Sequence, residues 1–278
     1  MSALDPPSLR AQFEAEGFVV IPGFLPKAHC AQLRTQAEAL VAGFDLGEIE
    51  TTFDTIDEAH ARDRWFLDSG AAIRPFLEPE RDRGGARRVN KLGHALHELD
   101  PQFRALCNHP DLARVVQTLA PDMEPLLLQS MVIFKPPRVG GVVPPHQDST
   151  YLYTEPNSVI GLWLALDDAS GANGCLEVLP GAHREGLRKR YRRRGDETWT
   201  EVLDARPWPR EGWRALPAEV GTLVAFDGLL PHRSAPNRSA SPRCAFTLHA
   251  IDARAEYPDD NWLRRPTHMP LRGFESQG

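Results

Sequence analysis

Residues 140–150 read GGVVPPHQDST, and the architecture of the chain is worked out from them. A Gly-Gly pair and two consecutive prolines lead into His146 and Asp148, which stand at positions i and i+2. In an extended strand those two side chains point to the same face, so one strand end delivers an imidazole and a carboxylate together. A second histidine, His232, lies in GLLPHRSAPN just beyond the apolar stretch GTLVAFDG, where a neighbouring strand would carry it to the same point. Two imidazoles and a carboxylate on one face of a metal ion make a facial triad, which leaves coordination positions open for other ligands. Arg243 comes eleven residues after His232, at the head of RCAFTLHAI. A guanidinium stays charged and forks onto a carboxylate, so it suits a dicarboxylate co-substrate that also chelates the metal.

The segments around this pattern agree with a β framework. Short apolar runs at residues 126–134, 159–166, 175–179, 222–226 and 244–251 read as strands, with Gly, Pro, Asn and Asp between them. No helical period separates them, which excludes a Rossmann or TIM layout and predicts a mainly β antiparallel sandwich or barrel with flanking helices. The helical signal lies earlier. Residues 27–43 place Leu33, Ala37, Leu40 and Val41 on one face between Pro26 and Gly43. A second helix follows Asn108 and Pro110, with Leu112, Val115, Val116 and Leu119 at helical spacing. GFVVIPGF at residues 17–24 reads as a short strand. The expected organisation is one domain over residues 1–278, with a helix-rich part (1–120) packed on a β core (121–255). Residues 199–216, rich in Trp, Pro and Arg, read as a long insertion of the kind that often serves as a lid.

Composition narrows the function. The net charge of −6 over 278 residues argues against a general grip on nucleic acid. The longest apolar run, residues 159–166, is far shorter than the roughly 20 residues that span a bilayer. The start, MSALDPPSLR, has no apolar core of a signal peptide, and the end, FESQG, matches no retention or peroxisomal tripeptide, so a cytoplasmic location is expected. Cys30, Cys107, Cys175 and Cys244 are scattered and read as buried small apolar groups. The run RKRYRRR at residues 188–194 reads first as a solvated loop and otherwise as a collar for an anionic substrate.

The order His-x-Asp, His, then Arg is that of Fe(II)/2-oxoglutarate oxygenases. At this level the chain resembles the phytanoyl-CoA dioxygenase family. The resemblance is carried by FEAEGFVVIPGFL near the start, NKLGHALH at residues 90–97, QSMVIFKPP at 129–137, PHQDSTYLYTEP at 145–156 and NGCLEVLPGAH at 173–183. NKLGHALH and LYTEP favour one branch over the family at large. The resemblance implies a double-stranded β-helix, a cupin-like jelly roll. It implies Fe(II) held by His146, Asp148 and His232, with O2 as oxidant. It also implies that Lys91, Met131, Gln147, Trp163, Ser234 and Arg243 surround 2-oxoglutarate, with Arg243 on the distal carboxylate. The small-molecule substrate is expected to be hydroxylated, because related halogenases replace the metal-binding carboxylate that Asp148 retains here. Phytanoyl-CoA itself is a doubtful substrate, since no obvious targeting presequence is present.

Of ten histidines, only His146 and His232 are assigned to metal. His183 and His249 are expected to be structural, and His94 and His97 are left without a role. On residues alone, Trp163 is a core aromatic and Lys91 is ordinary. Two other functions stay open: a non-catalytic 2-oxoglutarate or metal sensor, and a zinc hydrolase on the same ligands, which would leave Arg243 without a task.

Overall fold

Two helices in this chain start where a capping side chain and a proline coincide, and the central strands are buried on both faces. The computed structural model describes residues 6–52 and 63–274. The first part forms α1 (Pro6–Glu16), β1 (Phe18–Ile21), α2 (Lys27–Ala42), α3 (Arg64–Leu67), β2 (Ile73–Leu77), β3 (Val89–His94), α4 (Leu96–Leu99), α5 (Pro101–Cys107) and α6 (Pro110–Leu119). Strands then follow: β4 (Pro125–Lys135), β5 (Val143–His146), β6 (Ile160–Ala165), β7 (Leu176–Val178), β8 (Lys189–Arg194) and β9 (Glu197–Val202). The last are β10 (Arg214–Leu216), β11 (Leu223–Asp227), β12 (His232–Ser234) and β13 (Arg243–Asp252). Asp100 caps α5 by accepting from the Gln102 and Phe103 amides, with Pro101 at the first turn. In α6 the buried Leu112, Val115, Val116 and Leu119 form the expected stripe.

Seven strands pair in the order β1-β11-β6-β13-β4-β3-β2 and four in the order β10-β7-β12-β5, while β8 and β9 form a hairpin of their own. Each of these pairings is antiparallel. The result is the two-layer jelly roll expected from the strand pattern. Strand parity explains its core. On β13, Cys244, Phe246, Leu248 and Ala250 face the cluster that includes Leu33, Phe103, Leu112 and Val115 of the helices. Ala245 faces the other way, into a cluster with Trp163, Val178 and Leu216 between the two sheets. All four cysteines are free and buried, as expected. No helix among the described residues is long and apolar enough to cross a membrane.

β1 is the short strand expected within 17–24, and the helix-rich first part also gives β2 and β3 to the larger sheet. Two proline-containing segments, IRPFL (β2) and VPPH (β5), are strands at the ends of their sheets. An edge position tolerates the missing N–H of proline. The basic run 188–194 is strand rather than solvated loop, and the expected insertion 199–216 begins inside β9 and ends in β10, so only its middle is irregular.

Candidate metal centre and its surroundings

Register assembles the centre. His232 opens β12 directly opposite His146, the last residue of β5. Asp148 is not on the strand, as the i, i+2 reading assumed, but begins a 3-10 turn over Asp148–Thr150 that swings its carboxylate toward both imidazoles. Asp148 Oδ1 lies 3.7 Å from His146 Nε2 and 3.6 Å from His232 Nε2. Those distances are too long for hydrogen bonds and short enough for one ion to be shared. Among the described residues, His146, Asp148 and His232 form the only such group, their ligand atoms within 4.8 Å of one another.

The far sides of the rings are fixed as metal ligands require. His146 Nδ1 is 2.9 Å from the Pro144 carbonyl and His232 Nδ1 is 3.0 Å from the Leu230 carbonyl. A carbonyl only accepts, so each Nδ1 carries the proton and each Nε2 keeps its lone pair toward Asp148. Burial, reinforced by the neighbouring His232, lowers His146 to about 4, which keeps it neutral near pH 7. Burial alone would raise Asp148, but the imidazoles of His249, His232 and His146 outweigh it and hold the carboxyl well below its usual range.

His249 has a part that its sequence context did not suggest. Its Nε2 donates to Asp148 Oδ2 at 2.9 Å, so it orients the carboxylate from behind. Strand parity was the missed signal: Arg243, Ala245, Thr247 and His249 alternate onto the same inner face of β13. Opposite His249 on β6 is Gly161, where a Cβ would stand 3.1 Å from Asp148 Oδ2 and 2.6 Å from the Phe226 ring. Replacing His249 with Ala is expected to weaken metal binding about 10- to 100-fold, with His249→Gln recovering part of it. Anaerobic metal titration checks this, and unchanged affinity would remove His249 from the centre.

Arg243 lies in a second buried cluster. Its Nε and Nη2 donate to the Gly174 carbonyl at 3.2 and 3.1 Å, and Nη2 donates to Ser234 Oγ at 3.2 Å. Gly174 has φ +83° and a Cβ there would meet the Ala235 carbonyl at 2.3 Å, so this support requires glycine. The guanidinium stands 5.8 Å from the Trp163 ring. Lys135, which the sequence reading passed over, pairs with Arg243 across β4 and β13. Burial and the Arg243 charge lower Lys135 to about 7, and burial lowers Arg243 to about 10. The Lys135 ammonium donates to the Gly141 carbonyl and, at 3.0 Å, to the Ala235 carbonyl. Arg243 Nη1 and Thr247 Oγ1 are buried without a hydrogen-bond partner in the structure.

The remaining expected contacts divide. Lys91 and Met131 line the cavity that reaches His146 and Asp148, with the Lys91 ammonium over the Phe66 and Phe76 rings at 5.3 and 5.1 Å. Gln147 borders the same cavity, but its amide is committed elsewhere. Nε2 donates to the Gly186 and Leu229 carbonyls at 2.9 and 2.7 Å, and Oε1 accepts from the Arg188 amide at 2.9 Å. Its task is to tie three loops together, against the co-substrate contact expected of it. His183 Nε2 meets the Glu14 carbonyl at 3.3 Å. His94 and His97 make no metal pair: His94 bonds Ser69 at 2.7 Å, while His97 bonds Ser130 at 2.6 Å and Arg265 at 2.9 Å.

With this geometry in view, comparison with known proteins is decisive. The family model described as Phytanoyl-CoA dioxygenase (PhyH) matches residues 13–245. The chain belongs to the phytanoyl-CoA dioxygenase family. It is 37% identical to phytanoyl-CoA dioxygenase domain-containing protein 1 of Bos taurus, over 98% of both chains. It is 34% identical to a phytanoyl-CoA dioxygenase of Arabidopsis thaliana, over 91% of both chains. Among solved structures it resembles the epimerase SnoN in complex with Fe3+, alpha ketoglutarate and nogalamycin RO. The TM-score is 0.67 at 20% identity, covering 98% of this chain and 96% of that one. The expected enzyme class, a non-haem dioxygenase, stands with the family.

Proposed function

We propose that the chain is, as a single domain, an Fe(II)/2-oxoglutarate-dependent dioxygenase that hydroxylates a small molecule. The observation that carries this reading is the pair of imidazoles in register on β5 and β12, each locked by a carbonyl with its Nε2 turned to Asp148. The donor set, two neutral nitrogens and a carboxylate, fits Fe(II) with positions open to co-substrate and oxygen. When bound, iron and 2-oxoglutarate supply the oxidation: one atom of O2 goes into succinate as CO2 is lost, and the other enters a substrate C–H bond as a hydroxyl.

The protein's own residues do the rest. His146, Asp148 and His232 hold the ion, and the Pro144 and Leu230 carbonyls and His249 fix the direction of each ligand atom. Arg243, braced by Gly174 and Ser234 and flanked by Lys135, has the charge and the free Nη1 to bind the distal carboxylate. Trp163, Lys91 and Met131 supply wall and exclude water.

The test is succinate release by the anaerobically iron-loaded chain once oxygen is admitted. Succinate is expected in step with 2-oxoglutarate consumed, and only when iron and oxygen are both present. A chain that takes up iron and 2-oxoglutarate yet releases no succinate, with or without added small molecules, would be a sensor instead.

A further inference from the structure

The cavity in front of the triad measures about 250 Å³, below the roughly 300–1,000 Å³ of pockets that enclose drug-sized ligands. Its outer wall is aromatic. The Tyr151 ring stands 6.3 Å from the His146 ring at an interplanar angle of 62°, and the Tyr191 ring 5.8 Å from Tyr151 at 55°, so an aromatic wall of angled rings begins at the metal ligands and runs out along the hairpin. Trp208 continues it from the loop beyond β9. Arg188 stacks on Trp208 at 3.9 Å and is itself held by Glu185 at 2.9 Å and by the Arg206 and Pro207 carbonyls at 3.1 and 3.2 Å. It therefore stiffens the tryptophan and is not a free cation.

The basic run has little charge to spare. Arg190 and Arg192 share Asp260, and Arg193 donates to the Leu67 carbonyl at 2.6 Å. Lys189 is different: it is exposed, it borders the cavity, and it makes no ion pair or side-chain hydrogen bond among the described residues. Asp148 is the one acidic residue lining the cavity, and it belongs to the metal centre.

Resting on the oxygenase reading, we infer that the prime substrate is a compact anion whose mainly apolar body packs against Tyr151, Tyr191 and Trp208 with its charged group at Lys189. A whole acyl-CoA falls outside this class. A single unpaired lysine at the cavity does not match its several phosphates.

The inference is tested by calorimetry on the chain loaded anaerobically with iron and 2-oxoglutarate. The probes are naphthalene-2-sulfonate, naphthalene-2-methanol and palmitoyl-CoA. The sulfonate is expected to bind about three- to tenfold more tightly than the alcohol, with a preference that shrinks at high salt. Lys189→Ala is expected to abolish the preference and Lys189→Arg to keep it, while Trp208→Ala weakens sulfonate and alcohol alike. Equal binding of the two naphthalenes, a preference that survives Lys189→Ala, or displacement of the sulfonate by palmitoyl-CoA at equal concentration would each overturn it. If iron and 2-oxoglutarate fail to load, the oxygenase reading fails on its own. The probe preference is then read on the metal-free chain, where Tyr151, Tyr191, Trp208 and Lys189 remain.

Discussion

Asp148→Ala is expected to lower iron affinity more than about 100-fold and to take succinate release to background. The size follows from what is removed. Loss of an outer partner of a metal ligand costs about 10- to 100-fold, and Asp148 is itself the anionic ligand. Its removal leaves two neutral imidazoles facing each other across a buried gap and strips His249 of its acceptor, 2.9 Å away. An unpaired buried donor costs about 1–3 kcal/mol, so the variant is expected to lose stability but still fold. Neither of the two large hydrophobic clusters includes Asp148. Circular dichroism checks the fold, equilibrium dialysis under nitrogen the iron, and chromatography the succinate. A folded variant with wild-type iron affinity would show that the ion binds elsewhere.

Arg243→Ala is the second large effect. A charge-assisted hydrogen-bond pair contributes about 1.5–3 kcal/mol, so the 2-oxoglutarate concentration for half-maximal turnover is expected to rise roughly 10- to 100-fold. Iron affinity should stay within about threefold, because the guanidinium touches Gly174, Ser234 and Trp163 and none of the three metal ligands. Arg243→Lys should recover only part of the loss, since an ammonium cannot fork onto a carboxylate. Ser234→Ala removes a brace yet keeps the charge, and is expected to give a smaller rise. An unchanged 2-oxoglutarate requirement in Arg243→Ala, with the protein folded by thermal denaturation, would take Arg243 out of the co-substrate site.

Much of the centre was legible because strand geometry leaves a short-range imprint. His146 and Asp148 two residues apart, and His232 followed by Arg243, are spacings that a sheet converts into a common face. The convergence was read correctly, though for Asp148 the turn after β5 does the work assigned to strand alternation. Strands built on apolar runs, β1, β4, β6, β7, β11 and β13, were found from those runs. β2, β3, β8 and β9, which carry proline or charged residues, were not read as strands, because their places in the sheets are set by topology. Lys135 was passed over, and His249 was given only a structural role, for a related reason. Lys135 matters because pairing puts it beside Arg243, and His249 because it backs Asp148, 101 residues earlier in the chain.

At Gln147, placed beside the co-substrate by the resemblance, and in the basic run, packing commits side-chain groups that the sequence leaves open. Gln147 has an amide suited to a co-substrate, yet its donor and acceptor are used on loop backbone. In 188–194 the arginines looked free in sequence, and most are bound to Asp260, Glu201 and backbone carbonyls, which leaves Arg194 over the Trp199 ring and Lys189 beside the cavity. By itself the order of residues determined the family, the jelly roll, the three metal ligands expected and the arginine beyond them, because those depend on side-chain type and local alternation. The tertiary structure alone decided which polar groups remain unsatisfied. A hydrogen bond between residues 101 apart, or a cation already neutralised by Asp260, depends on distances that local sequence does not encode.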